Sequence, residues 1–423
     1  MEKIRPSERI GKEISQLLEG GVEEGQDLLG RLIEKSVRRV LQEILEQEVE
    51  DYLGRGYYQR GEGKQRGYRN GYEGKKLKTA EGQVEVEVPQ LRGTEQTYRS
   101  AVLGQLGGRS QELDRLVVEM YARGLSTRDI EDLLRDRTGQ VMISRSGVSQ
   151  ITEVLSQEYE RFCSRDLAGY DVVYLFSDGV YESMRMQGGS NEAILCAWGI
   201  LSNGQKVLLH LALGYKESHE SWLDFFRNMV GRGLRMPLLV SADGAPGLIK
   251  AIQECFPQSR RQRCLAHKLR NIASKLPKEA LAEVMPKVRA IFSQTDQKIA
   301  LLYVAKVIEE YAAIYPAAMK CLQEDLEACL SFMDFPAGHH KHIRTTNLLE
   351  RCFEEQRRRT KVIPRFLDEK SCLKLTYATL IRVSERWNQV TMSDYDLTLL
   401  RNLRRLYGWG EDQNGFISKK AAA

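Results

Sequence analysis

Two aspartates, each closing a short apolar run and each followed by glycine, are the residues of this chain best placed to do chemistry. They are Asp178 in Val172-Val-Tyr-Leu-Phe-Ser-Asp-Gly179 and Asp243 in Pro237-Leu-Leu-Val-Ser-Ala-Asp-Gly244. An apolar run of that length reads as a buried strand. Each carboxylate is therefore expected where its strand leaves the sheet, with the glycine letting the chain turn sharply there. Two such strand ends could bring both carboxylates to one edge of one sheet. Paired carboxylates are hard oxygen ligands of the kind Mg²⁺ prefers. Two divalent ions side by side form the usual engine for cutting and rejoining phosphodiesters. Asp-Gly is also a common turn dipeptide, so either one alone reads better as a turn. The serine-containing context shared by the two strand ends favours chemistry.

A two-metal site wants a third acid, and the strongest candidate lies in Ile343-Arg-Thr-Thr-Asn-Leu-Leu-Glu-Arg351. Thr346 or Asn347 can cap a helix whose first turns carry Glu350. Arg344 and Arg351 lie nearby for a phosphate, and Glu354 and Glu355 are rivals on spacing alone. Cys264 and His267 form a Cys-x-x-His pair that could be half of a zinc site. No convincing second half accompanies it; His339, His340 and His342 are the only tempting partners. No structural zinc is expected.

The elements that must position these residues follow from pattern and composition. The chain has 423 residues, 42% hydrophobic and 29% charged, as an ordinary globular protein of several domains would. No apolar stretch approaches the roughly 20 residues that span a bilayer. The Met-Glu-Lys-Ile-Arg-Pro start lacks the apolar core of a secretion signal. Eight cysteines without a regular framework suggest reduced thiols in a cytoplasmic protein. The net charge of +5 says less than its distribution. Positive residues concentrate at 55–78, 260–275 and 357–361, the footprint of a polyanion partner. Arg263 and Lys268 belong to the second cluster; Arg357, Arg358, Arg359 and Lys361 form the third.

Residues 22–53 read as a long amphipathic helix whose apolar stripe could pack on this chain or on a second copy. Gly54 ends it. Segment 55–78 then mixes Arg55, Arg60, Arg66, Arg69, Lys75 and Lys76 with Tyr57, Tyr58, Tyr68, Tyr72 and glycines. A flexible solvated loop is the bland reading. Arginine with tyrosine and glycine also suits phosphate contact and stacking on nucleic acid, and that reading is preferred. Residues 83–88 alternate as a strand that Pro89 stops. Residues 110–152 form a helical module: Gly124 breaks one helix, Ser126 caps a second, and a third runs from Ser146 through Leu155. The arrangement resembles a helix-turn-helix, with Arg128 and Arg145 as phosphate or base contacts.

Runs 172–177, 192–201 and 206–213 read as strands, followed by a helix over 217–231 and a strand over 237–242. A helix near 246–255 and a last strand over 260–264 complete an α/β layer with a mixed sheet. Residues 267–335 read as helical, interrupted at Pro277, Pro286 and Pro316, and a helix-rich tail covers 347–406.

Five stretches together resemble one family. They are Tyr68-Arg-Asn-Gly71 with Val88-Pro-Gln-Leu-Arg92; Tyr121-Ala-Arg-Gly-Leu-Ser-Thr-Arg-Asp-Ile130; and the Asp178 segment. Ser241-Ala-Asp-Gly244 with Arg263-Cys-Leu-Ala-His-Lys-Leu-Arg-Asn271 follows, then Thr345-Thr-Asn-Leu-Leu-Glu350 with Arg357-Arg-Arg-Thr-Lys361. In this order they resemble the mutator-type DDE transposases of bacterial insertion sequences, within the RNase H-like superfamily. The resemblance implies an RNase H-like α/β core, a mixed sheet flanked by helices, interrupted by an all-helical insertion. Helical DNA-binding and dimerisation regions would precede that core. It implies Asp178, Asp243 and Glu350 as catalytic triad and metal ligands, with Mg²⁺ (Mn²⁺ substituting) as cofactor. Cys264, His267 and Asn347 would support the site. Trp387 also matches a family position but reads better as a core aromatic of the terminal helices.

The implied organisation is an oligomerisation region (1–54), a basic arm with a small β element (55–108), and a DNA-binding module (109–165). The first stretch of the core (166–275), the insertion (276–343), and the remaining core with its terminal helices (344–423) follow. The expected partners are double-stranded DNA, as terminal inverted repeats and target, and a second copy in a homodimer or higher homo-oligomer. The expected location is the bacterial cytoplasm, at the nucleoid. A metal-dependent nuclease or junction resolvase without strand transfer, or a DNA-binding regulator, is the alternative.

Overall fold

The computed structural model describes residues 4–21, 27–59, 67–80, 82–135, 139–183, 191–214, 216–360, 366, 368–407, 409–411 and 417–419. The chain divides into two compact units, Met1–Val154 and Leu155–Ala423.

In the first unit, α1 (Pro6–Gly20) packs on α2 (Leu28–Leu53). The expected helix over 22–53 begins at Leu28, where Asp27 accepts from Gly30 N, and ends at Gly54 in the left-handed region at φ 67°. The Ser7 amide and hydroxyl both donate to the buried Glu46 carboxylate, tying α1 to α2. The described second half of the basic segment is not a loose arm. It is strand β1 (Tyr68–Thr79), paired antiparallel with β2 (Gly82–Arg92). Leu77 turns inward to Leu45, Val84, Val86 and Leu103, while Lys75 and Lys76 stay exposed. Pro89 does not stop β2; it stands opposite Tyr72, beside a register shift where a missing N–H is tolerated.

A short helix, α3 (Ala101–Leu106), leads to the helical module of α4 (Gln111–Ala122), α5 (Thr127–Leu133) and α6 (Arg145–Ile151). Ser110, Ser126 and Ser144 cap them, Ser126 in a reciprocal capping box with Asp129. Leu113, Val117, Ile130, Ile143 and Val148 form their common core. The third helix, expected unbroken to Leu155, stops at Thr152, and α7 (Glu153–Ser164) starts afresh.

The second unit is built on a five-stranded mixed sheet of order β5-β4-β3-β6-β7. Strands β3 (Val172–Ser183), β4 (Asn191–Leu201) and β5 (Lys206–Gly214) are antiparallel neighbours. The short strands β6 (Leu239–Ala242) and β7 (Arg260–Arg263) run parallel to β3. Helices α8 (His219–Gly231) and α9 (Pro246–Cys255) cover one face, burying Trp222, Phe225, Phe226, Leu248 and Ile252 against Leu175, Leu195 and Val240. Side chains alternate along a strand, so Tyr174, Phe176 and Ser241 look the other way. That face is covered by later chain: Tyr174 meets Phe335 and His339, Ser241 Oγ donates to the Ile343 carbonyl, and Trp198, stacked on Phe176, meets Trp387.

After β7 come α10 (Leu265–Ala273), α11 (Leu281–Ile291), α12 (Gln297–Tyr311), α13 (Pro316–Gln323), α14 (Leu326–Leu330), α15 (His340–Ile343), α16 (Asn347–Thr360), α17 (Glu369–Ser384) and α18 (Asp394–Leu406). Pro286 lies inside α11 rather than interrupting it. It forgoes one hydrogen bond, to the Ala282 carbonyl. No described helix is long and apolar enough to cross a membrane.

Candidate active site

The last parallel pair between β3 and β6 is Ser177 with Ala242. The next residue of each strand is one of the two aspartates, so Asp178 and Asp243 stand side by side. By the strand period they share the sheet face that the C-terminal helices cover. β6 ends at Ala242, but β3 does not leave the sheet at Asp178. It continues along β4, with Asp178 opposite Cys196, to Ser183. The expected turn at Asp178-Gly179 is therefore corrected.

The two glycines serve a different end. Neither has a positive φ. A Cβ on Gly179 would lie 2.5 Å from Glu217 Oε1, and one on Gly244 would lie 1.6 Å from Arg263 Nη1. Each glycine is a notch that admits a charged side chain next to an aspartate.

Asp178 is only 8% exposed. Its Oδ1 accepts the Gly179 N–H at 2.9 Å, and its Oδ2 lies 3.4 Å from the Thr346 hydroxyl that donates to it. Burial pushes its pKa up to about 6; His267 opposes this, while the charges of Asp243 and Glu350 add to it. Asp243 Oδ1 accepts from Ala245 N at 3.0 Å.

Glu350 arrives on the first turn of α16, and a chain of bonds fixes where that helix starts. Cys264 N donates to the Ala242 carbonyl at 2.8 Å, and Leu265 N to the Arg344 carbonyl at 2.9 Å. The Thr346 amide and hydroxyl each approach Cys264 Sγ at 3.2 Å. The end of β6 thus sets Cys264, Cys264 sets Thr346, and Thr346 opens α16 next to Asp178. The Glu350 carboxylate takes Arg270 Nη2 at 2.6 and 2.7 Å, with His267 Nε2 at 3.7 Å. The neighbouring Cys264 sulfur is the main cause that raises the His267 pKa to about 9, against the effect of burial. Burial works to raise the Cys264 thiol, but His267 and the Thr346 donors outweigh it and the thiol is lowered.

Two residues at this edge have contacts that motif reading did not assign. Thr346 is fully buried between Asp178 and Cys264. Glu217 lies just before Ser218, the N-cap of α8, and burial raises its pKa to about 7, reinforced by Asp243 and Asp178. The available signal was an acid between a strand end and a helix cap on the same sheet edge.

The centre offers carboxylate oxygens, the donor chemistry a hard divalent cation takes. Among the described residues, no three Asp, Glu, His or Cys side chains stand at metal-ligand spacing. Glu350 is drawn onto Arg270, so it must let go of that guanidinium to join Asp178 and Asp243. Of the histidines weighed as zinc partners, His339 bonds Tyr174 Oη and the Thr391 carbonyl, and His340 bonds the Phe335 carbonyl.

The residues expected to touch DNA are differently placed. In the second unit Arg263 is buried with Nη1 unpartnered, and Lys268 is buried, donating to the Glu324 carbonyl. Arg344 donates to the Phe292 carbonyl at 3.0 Å. Asn347, Arg351, Arg357 and Arg358 are exposed, and Arg358 and Arg359 share Glu355. In the first unit Arg55 donates to the Gly67 carbonyl at 2.7 Å, and Arg69 to those of Arg55 and Gly56. These two arginines thereby close the loop between α2 and β1. Tyr68 and Arg128 are exposed, Lys76 reaches Gln140, and Arg145 pairs with Glu131 at 3.1 Å. Arg60, Arg66 and Lys361 lie outside the described residues.

Fold and site define a mixed α/β protein with acidic side chains gathered at one edge of its sheet. The family described as "Transposase, Mutator family" matches residues 13–390, and the chain belongs to that family. It is 34% identical over 353 residues (83% of this chain, 87% of the relative) to the "Transposase for insertion sequence element ISRM5" of Rhizobium meliloti. To the "Transposase for insertion sequence element IS406" of Burkholderia multivorans it is 31% identical over 357 residues, 84% and 90% of the two chains. It is 29% identical over 351 residues, 82% and 89%, to the "Transposase for insertion sequence element IS256 in transposon Tn4001" of Staphylococcus aureus.

Proposed function

We propose that this protein is the DNA-cutting and joining enzyme of an insertion sequence: it binds the terminal inverted repeats, cleaves at their 3′ ends and transfers those ends to target DNA. The observation that carries the reading is that Asp178 and Asp243 directly follow the last register pair of neighbouring parallel strands, Ser177 with Ala242, while Thr346, at the start of the helix that bears Glu350, bonds Asp178. Three antiparallel strands followed by two parallel ones support an RNase H-like core, and the helices from α11 to α15 read as its insertion.

Asp178, Asp243 and Glu350 would hold the cation, Mg²⁺ with Mn²⁺ as a substitute. Bound there, it would activate a water or 3′-hydroxyl and stabilise the leaving oxygen. Asp178, raised to about 6, is ionised at neutral pH and loses charge on mild acidification. Thr346 orients its carboxylate, and Arg270 neutralises Glu350 until the phosphate backbone offers the guanidinium an alternative partner. Exposed Arg351, Arg357 and Arg358 on α16 supply sequence-independent contact with that backbone.

Assembly of two copies would hold both element ends. On α2, Ile33, Val37, Val40 and Ile44 recur on one face and are exposed, while Leu45, Val49 and Leu53 pack inward. The test of the function is Mg²⁺-dependent nicking of an end-containing duplex followed by joining to a plasmid. The native chain performs both steps and Asp178→Asn neither. Nicking without joining would favour a nuclease, and an active Asp178→Asn would remove that residue from the centre.

A further inference from the structure

We propose that Glu217 is a fourth carboxylate of the acidic centre and shares in holding its divalent cation; this rests on the reading of Asp178 and Asp243 as cation ligands. Glu217 belongs to the connection from β5 to α8. Gly214, at the end of β5, pairs with Ala193, which pairs with Tyr181 of β3. That connection therefore emerges at the same edge of the sheet as Asp178.

The close packing is specific. From the position a Gly179 Cβ would take, Glu217 Oε1 lies at 2.5 Å, Cδ at 3.0 Å and Cγ at 3.3 Å. The carboxylate rests on the α-carbon that follows Asp178, a place open only because residue 179 has no side chain. Half-buried there, Glu217 forms no hydrogen bond or ion pair with any described residue. Asp243 and Asp178 both repel it, and His267, itself turned to Glu350, opposes them. Burying like charges together is unfavourable unless something positive joins them. A second group awaits a ligand at the same edge. Arg263 is 7% exposed, its Nη1 has no hydrogen-bond partner, and its guanidinium lies on Gly244 beside Asp243. Carboxylates for a cation and a buried guanidinium for an anion are the two halves of a site for a metal-bound phosphate.

The test is calorimetric titration of Mn²⁺ into the full-length protein and into Glu217→Gln, which keeps the side chain's size and removes its charge. A ligand's loss weakens metal affinity by about tenfold or more, so the Glu217→Gln isotherm is expected to weaken at least that far or to lose one bound ion. Its melting curve without metal should be unchanged or shifted upward, because a repulsion has gone. Gly179→Ala, which displaces the carboxylate without altering its charge, is expected to weaken Mn²⁺ binding likewise. Unchanged Mn²⁺ binding by Glu217→Gln, beside its loss in Asp178→Asn, would overturn the role of Glu217 and leave the centre standing. Absence of Mn²⁺ binding by the native chain would overturn the cation reading and this proposal with it.

Discussion

Replacing Asp178 by asparagine should stabilise the metal-free protein, and the size of the gain follows from the site. Burial, reinforced by Asp243 and Glu350, raises the Asp178 pKa from 3.8 to about 6. A tenfold change in an acid's dissociation constant corresponds to about 1.4 kcal/mol. The ionised aspartate therefore costs the native state about 3 kcal/mol above pH 6, and nothing below pH 3.8, where the carboxyl is protonated in both states. Asparagine keeps an oxygen for the Gly179 N–H and an amide that can bond the Thr346 hydroxyl, so the neutral side chain fits the same bonds. The assay is denaturant unfolding of both proteins in chelator, followed on the transition of the Leu155–Ala423 unit. At pH 7.5 the variant should be more stable by up to about 3 kcal/mol. The gap should close as the pH falls through 6 toward 4. A variant less stable at pH 7.5, or a gap that widens with acid, would refute the claim that Asp178 is held charged against its surroundings.

Other consequences are independent of that one. Val37→Glu with Val40→Glu should reduce the assembly state by light scattering without unfolding the first unit, since neither residue is buried; an unchanged mass would remove α2 as the contact. Gly244→Ala should drive a methyl group into the Arg263 guanidinium and cost about 1–3 kcal/mol in denaturant unfolding; a neutral result would show that Arg263 moves freely. Arg270→Ala should tighten Mn²⁺ binding in a titration by freeing Glu350 of its rival cation; weaker binding would mean that Arg270 presents Glu350 rather than withholding it.

What the sequence made legible was governed by the range of the interactions involved. β6 falls almost where its apolar run put it, and β7 and α9 lie close to the expected 260–264 and 246–255, because local pattern decides such short elements. Ser126 capped its helix as expected for the same reason. β1 was hidden because Lys-Lys-Leu-Lys presents a single inward side chain, Leu77, and its pairing with β2 outweighs composition. The two aspartates were visible as types, but the purpose of their glycines was not. That purpose lies in Glu217 and Arg263, which reach Gly179 and Gly244 only once the sheet has formed. Thr346 was legible as a possible helix cap, whereas its bonds to Cys264 and Asp178 are long-range and leave no local signature.

The most direct measurement is a crystal structure of the protein with an element-end duplex and Mn²⁺, with the ions placed by their anomalous signal. Manganese should lie between Asp178 and Asp243, with Glu350 released from Arg270 and bound to the same ions. Manganese elsewhere, or Glu350 still seated on Arg270 beside a properly docked DNA end, would contradict the assignment.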